Sequence, residues 1–88
     1  MTTTEFENQQ RRSREALSRG VRMAIDCIPK TTTRAERARR LNVSTVTLDR
    51  WRKGESIPNE YHLHVLAIAV GWPIECIRDG RLPRADEL

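Results

Sequence analysis

Four side chains of unlike chemistry recur at a spacing that puts them on one face of a helix: Val46, Asp49, Arg50 and Lys53. At about 100° per residue they cluster opposite Leu48 and Trp51, with Thr45 between the two faces at the N-terminal tip. Together they present a planar fork of donors, a carboxylate acceptor, an ammonium and an apolar tip. Such a set suits recognition of a patterned polar surface. It does not suit catalysis. There is no paired nucleophile and base, no glycine-rich phosphate loop and no ligand cluster, and the acids are scattered over polar faces. His62 and His64 lie two apart and cannot share a helical face as ligands. The expectation is a protein that is not an enzyme and needs neither metal nor cofactor.

Charge is distributed unevenly along the chain. Residues 11–53 hold 13 Lys or Arg against four acids, a net +9, while the other 45 residues hold three against eight, a net −5. The basic part would attract polyphosphate by counterion release and steer the encounter. Some of those arginines could simply solubilise helix faces, and Asp49 with Lys53 could make a weak surface pair. The positive charge nevertheless stops where the recognition pattern stops, which favours a nucleic-acid partner over solubility alone.

The elements that must position these groups are short helices. Thr33 and Glu36 have capping-box spacing, and Ala35, Ala38 and Leu41 make a narrow apolar stripe behind them. Asn42 tolerates the left-handed conformation of a sharp stop, Val43 would plug the corner, and Ser44 is a good N-cap for the next helix. Gly54 ends the pair. Before it, Leu17, Val21, Ala24, Ile25 and Ile28 form one stripe over residues 13–28, which Arg14, Arg19 and Arg22 avoid. Gly20 within that helix costs about 1 kcal/mol of propensity, and Pro29 stops it. Pro58-Asn59-Glu60 opens a fourth helix to residue 70, and Gly71 with Pro73 separates a fifth near 73–79.

The division is thus a polar N-terminal arm (1–12), one domain (13–80) and a C-terminal tail (81–88); the arm is either mobile or an extension of the first helix, since Thr4 and Glu7 also have capping-box spacing. At 88 residues, 38% hydrophobic and 32% charged, the chain supports a single thin core. No apolar run reaches the length of a membrane span, and the start lacks a signal-peptide core. Cys27 and Cys76 read as reduced, semi-buried thiols. A cytoplasmic protein is expected.

The run from Ala38 through Leu41, Asn42, Val43, Ser44, Thr47, Leu48, Asp49, Trp51 and Gly54 resembles the helix-turn-helix of the phage repressor/Cro family, also called the XRE class. The resemblance extends to Ile57-Pro58, to Leu66 through Pro73 and to Ile74 through Ile77, covering roughly residues 15–80. Arg37 stands where that family usually has Leu, and Asn42 where it usually has the turn Gly. The resemblance implies an all-α, lambda-repressor-like bundle of about five short helices with a central helix-turn-helix. It also implies a sequence-specific regulator of transcription, a repressor of phage or bacterial type.

Carried over position by position, the resemblance makes Thr45, Val46, Asp49 and Arg50 the base readers in the major groove. Arg50 could fork onto a guanine, Asp49 could accept from a cytosine amine, and Val46 could pack on a thymine methyl. Asp49 could instead orient Arg50 or pair with Lys53. Arg34 near a helix start, Ser44, Arg52 and Lys53 are the phosphate contacts. Trp51 and Trp72 read as core anchors. The implied partner is a double-stranded operator, an inverted repeat bound by a weak homodimer, with Ile74, Ile77 and Leu82 as the apolar contact candidates.

Two other readings stand beside this one. Thr47-Leu48-x-Arg50-Trp51-x-x-Gly54 also resembles the MerR and excisionase groups, in which a β-hairpin wing follows. The acidic C-terminal part would alternatively suit a protein-interaction module, such as an antitoxin-like partner or an antirepressor.

Overall fold

The computed structural model describes the backbone of residues 3–28 and 33–88, and the side chains of 13–28 and 33–88. Five α-helices follow one another: α1 (Thr3–Asp26), α2 (Arg34–Arg40), α3 (Thr45–Lys53), α4 (Glu60–Val70) and α5 (Ile74–Asp79). A single 3₁₀ turn over Ala85–Glu87 closes the chain. The architecture is an all-α bundle with no strand among the described residues. After Gly54 comes α4, so the hairpin wing of the MerR-like alternative has no place here. The expected stop at Pro29 and the side chains of the polar arm lie outside the described residues.

Local sequence explains where the helices begin and end. Thr33, Ser44 and Asn59 each accept a hydrogen bond from the backbone N–H three residues on, at 3.1, 3.1 and 2.9 Å. The four later helices all stop in the same way. Asn42, Gly54, Gly71 and Gly80 adopt positive φ, and the next residue's N–H reaches back five positions: Val43 to Ala38, Glu55 to Arg50, Trp72 to Ala67 and Arg81 to Cys76. These are Schellman stops, which satisfy carbonyls that the helix leaves open. At Asn42 the φ of 60° is one that asparagine tolerates better than most residues.

The core takes Val21, Ala24, Ile25 and Ile28 from α1, Ala38 and Leu41 from the α2 region, and Leu48 and Trp51 from α3. Leu63, Leu66 and Ala67 of α4 and Ile77 of α5 complete it, while Val43 and Trp72 pack half-buried against it. Ile77 is fully enclosed, which corrects its expected place among the dimer contacts. Cys27 is exposed and Cys76 is buried, so the two thiols do not share the semi-buried state expected of both.

Three features refine the expected layout. The first helix begins at Thr3, ten residues ahead of Ser13, so residues 3–12 take the helix-extension form, one of the two readings of the arm. Gly20 is not a mere weakness of that helix. A Cβ there would stand 1.9 Å from the carbonyl oxygen of Ile77, and one on Gly80 would stand 2.4 Å from that of Ala16. The backbones of α1 and α5 therefore cross in direct contact, and Arg19 Nε donates to the Gly80 carbonyl at 3.0 Å beside the crossing.

The expected tail is the third such feature, because it folds into a clasp. Arg81 grips Glu87 through two parallel bonds of 2.6 and 2.9 Å, and the Arg84 backbone N–H donates to the same carboxylate at 3.1 Å. The Cys76 thiol donates to it at 3.5 Å. Arg81, with the Arg84 amide, holds the Glu87 carboxyl far below the usual carboxylate range. Burial, reinforced by Glu87, pushes the Cys76 thiol up, so it stays protonated and inert.

Gly20→Ala should lower stability by about 1–3 kcal/mol, although alanine is the better helix former by about 1 kcal/mol. Urea unfolding checks this, and a stabilised variant would rule out the tight crossing. Glu87→Gln should destabilise the protein at neutral pH. Because the folded carboxyl is depressed, its contribution is complete above about pH 5 and fades as pH falls below the ordinary carboxylate value. Urea midpoints of wild type and variant should therefore converge in acid.

Candidate functional site

Leu48 and Trp51 are buried, at 0% and 4% exposure, and this fixes which way α3 faces. Trp51 fills the space between α3 and α4, with its ring centroid 5.7 Å from that of His62. The opposite face carries Val46, Asp49, Arg50 and Lys53, the four residues that periodicity places together. Val46 is 58% exposed and Arg50 and Lys53 are exposed, so all three can be touched from outside. Thr45 is half-buried at the tip. Ser44 caps α3, and its hydroxyl also shares a 3.0 Å hydrogen bond with that of Thr47.

Asp49 has a partner that spacing along one helix could not show. Arg34, at the start of α2, bonds its carboxylate at 3.0 Å, with the two side chains 60% and 32% exposed. The two alternatives weighed for Asp49, orienting Arg50 or pairing with Lys53, are both replaced by this link. Neither Arg50 nor Lys53 has a carboxylate partner among the described residues. Arg52 leans the other way, toward Asp26 of α1, at a loose 3.9 Å. That pair sits on the flank of α3 rather than on its outward face.

No protein-family model, curated protein or solved structure matches this chain.

Two further arginines join the neighbourhood. Arg39 of α2 borders a shallow depression with Asn42, Ser44 and Thr45 at the tip of α3. Arg22 of α1 borders another with Asp49, Arg52 and Lys53 along its flank. The sequence carried a partial signal for the second. Arg14, Ser18 and Arg22 are four apart, so they align on one face of α1, along the edge of its apolar stripe. Nothing local says that this face meets α3. Among the described residues no group of His, Cys, Asp and Glu could hold a metal ion.

The Arg34–Asp49 link is an exposed pair, so its energy should be small. A double-mutant cycle of Arg34→Ala and Asp49→Ala should give a coupling of about 0.2–1 kcal/mol. That coupling should shrink at high salt, where exposed charges are screened. A coupling of zero at every salt concentration would mean that the bond does not persist in solution.

Proposed function

We propose that this protein binds double-stranded DNA sequence-specifically through a helix-turn-helix formed by α2 and α3, and regulates transcription as a repressor. One observation carries the reading. The face of α3 turned away from the core exposes Arg50 and Val46, with the Arg50 guanidinium uncommitted to any carboxylate among the described residues. An uncommitted fork beside an apolar tip on a rigid helix is what direct readout of a guanine and a neighbouring thymine methyl requires. The net +9 of residues 11–53 supports the same reading, because it supplies the sequence-independent attraction that readout needs.

Within this reading the roles shift from those the spacing implied. Val46 and Arg50 carry base contact, with Thr45 at the tip. Asp49 serves through Arg34: its carboxylate holds the guanidinium at the start of α2, where a phosphate would pass, and that guanidinium in turn cancels a negative charge on the reading face. Lys53 and Arg52 are further phosphate contacts. Ser44 contributes mainly as the cap. A small domain that covers a promoter represses without further parts, and such a regulator works in the cytoplasm. No helix among the described residues is long and apolar enough to cross a membrane.

A single domain of this size would bury only roughly 600–1,000 Å² of its surface on DNA, so useful affinity calls for two copies on an inverted repeat. We place the half-sites about one helical turn apart, ~34 Å. With Ile77 enclosed and Ile74 half-buried against the core, Leu82 at 62% exposure is the candidate most open to a second copy. Sedimentation should show a weak dimer that tightens on a palindromic duplex.

Binding titrations on an operator and on a shuffled duplex separate the roles of the two arginines. Arg50→Ala should cost about 1–3 kcal/mol on the operator and relax preference at one base pair, with little loss on shuffled DNA. Arg34→Ala should weaken both duplexes alike and lower the salt slope by about 1. Asp49→Ala added to Arg34→Ala should restore part of the loss, because it removes the carboxylate left unpaired. Identical behaviour of Arg50→Ala and Arg34→Ala on both duplexes would reduce Arg50 to a phosphate contact and leave the reading without a base reader.

A further inference from the structure

Between α1 and the C-terminal end of α3 lies a notch of about 390 Å³, bordered by Arg14, Ser18 and Arg22 on one side and Lys53 and Gly54 on the other. Arg22 and Lys53 also border the neighbouring depression that runs on toward Asp49. Three cations thus meet around one opening. The acids nearby that could neutralise them are already engaged: Asp49 with Arg34 at 3.0 Å, and Asp26 with Arg52 at 3.9 Å. Glu15 is the one acid on the rim. Arg14, Arg22 and Lys53 have no carboxylate partner among the described residues.

The notch stays open for a local reason. Gly54 has φ 78° and no side chain, and a Cβ there would stand 3.2 Å from Ser18 Oγ. That hydroxyl belongs to a residue lining the notch, where it can donate to an anion. One effect opposes anion binding, since the C-terminal end of a helix carries a partial negative charge of roughly half a unit. Here two α3 carbonyls, those of Arg50 and Trp51, are covered by the amides of Glu55 and Gly54. Three full positive charges against one acid and half a unit leave the notch clearly cationic.

We propose that this notch is a phosphate-binding subsite held by Arg14, Arg22 and Lys53, with Ser18 as a hydroxyl donor. The phosphate has two sources of shared chemistry, a duplex backbone or a free phosphate ester. The first source rests on the DNA-binding reading above and the second does not. With a duplex, the subsite extends the contact surface from α3 onto α1, beyond the residues that a helix-turn-helix alone would use.

The test uses the full chain carrying Arg14→Gln with Arg22→Gln, both exposed and both replaced by a good helix former. A charge-matched control carries Arg78→Gln with Arg84→Gln, on α5 and the closing turn. Binding is titrated against salt on a duplex of fixed sequence and on its shuffled form. Pyrophosphate is titrated separately, without DNA, following the amide resonances of Ser18, Lys53 and Gly54. On a duplex the notch variant should lose affinity several-fold, equally for both sequences, and its salt slope should fall by about 1 while the control keeps the wild-type slope. Pyrophosphate should shift those amides in wild type and leave the notch variant unmoved. A slope change without the pyrophosphate shift assigns the subsite to the duplex backbone, and the reverse assigns it to a free ester. If wild type binds no duplex, the DNA reading fails and the pyrophosphate arm alone decides. Unchanged slope together with absent shifts overturns the subsite.

Discussion

Nine residues are too few to hold a helix in water, since isolated helices shorter than about 12–15 residues are marginal. α3 is such a helix, and its outward face carries the recognition chemistry proposed for this protein. It persists because Leu48 and Trp51 are withdrawn from water against the other helices. Burial of those two side chains decides more than stability. It fixes the rotation of α3 about its own axis, and so fixes that Val46, Asp49, Arg50 and Lys53 face outward together. A helix that could roll would have no reading face. The caps at Ser44 and Gly54 fix where α3 begins and ends, but only the buried pair fixes its orientation.

Electrostatics then selects among the outward groups. A chain with 16 Lys or Arg and 12 acids could neutralise most of its own positive charge. It does so selectively. Arg34 holds Asp49, Arg52 leans on Asp26, Arg78 pairs with Glu60, and Arg81 grips Glu87. Exposed pairs of this kind contribute little energy each. Their consequence is which cations they leave uncommitted, and Arg50, Lys53, Arg14 and Arg22 are among those left. The surplus lies along α1, α2 and α3, where Arg39 and Arg40 are also exposed and unpaired with any carboxylate among the described residues.

The scaffold behind this face is held by backbone geometry as much as by side chains. α5 has six residues, and it docks on α1 where Gly20 and Gly80 remove the side chains that would hold the two backbones apart. Close approach brings Ile77 and Cys76 into full burial. The Arg81–Glu87 clasp then folds residues 81–88 back toward Cys76, so a segment with the composition of a loose tail is tethered to the body while its side chains stay largely exposed. From α2 onward each α-helix ends in the same device, the left-handed stop, at Asn42, Gly54, Gly71 and Gly80.

Local chemistry alone determined the number of helices, most of their ends and the face that α3 turns outward. Thr33, Ser44 and Asn59 cap within three residues, and Asn42, Gly54, Gly71 and Gly80 stop helices through their own φ, so both signals lie inside a window of a few positions. The 3.6-residue period marked Leu48 and Trp51 as inward and Arg50 as outward for the same reason. What lay beyond the sequence depends on partners distant along the chain. Nothing near Asp49 shows that Arg34, fifteen residues earlier, takes its carboxylate. Gly20 looks like a flaw until Ile77 passes over it, and Glu87 looks solvated until Arg81 and Cys76 enclose it. Ile77 reads equally well as core or as a dimer contact, because period and hydrophobicity do not say which neighbour covers a face. Only the tertiary structure decides that, since long-range ion pairs and backbone crossings are set by how whole helices pack and leave no periodic trace in either partner.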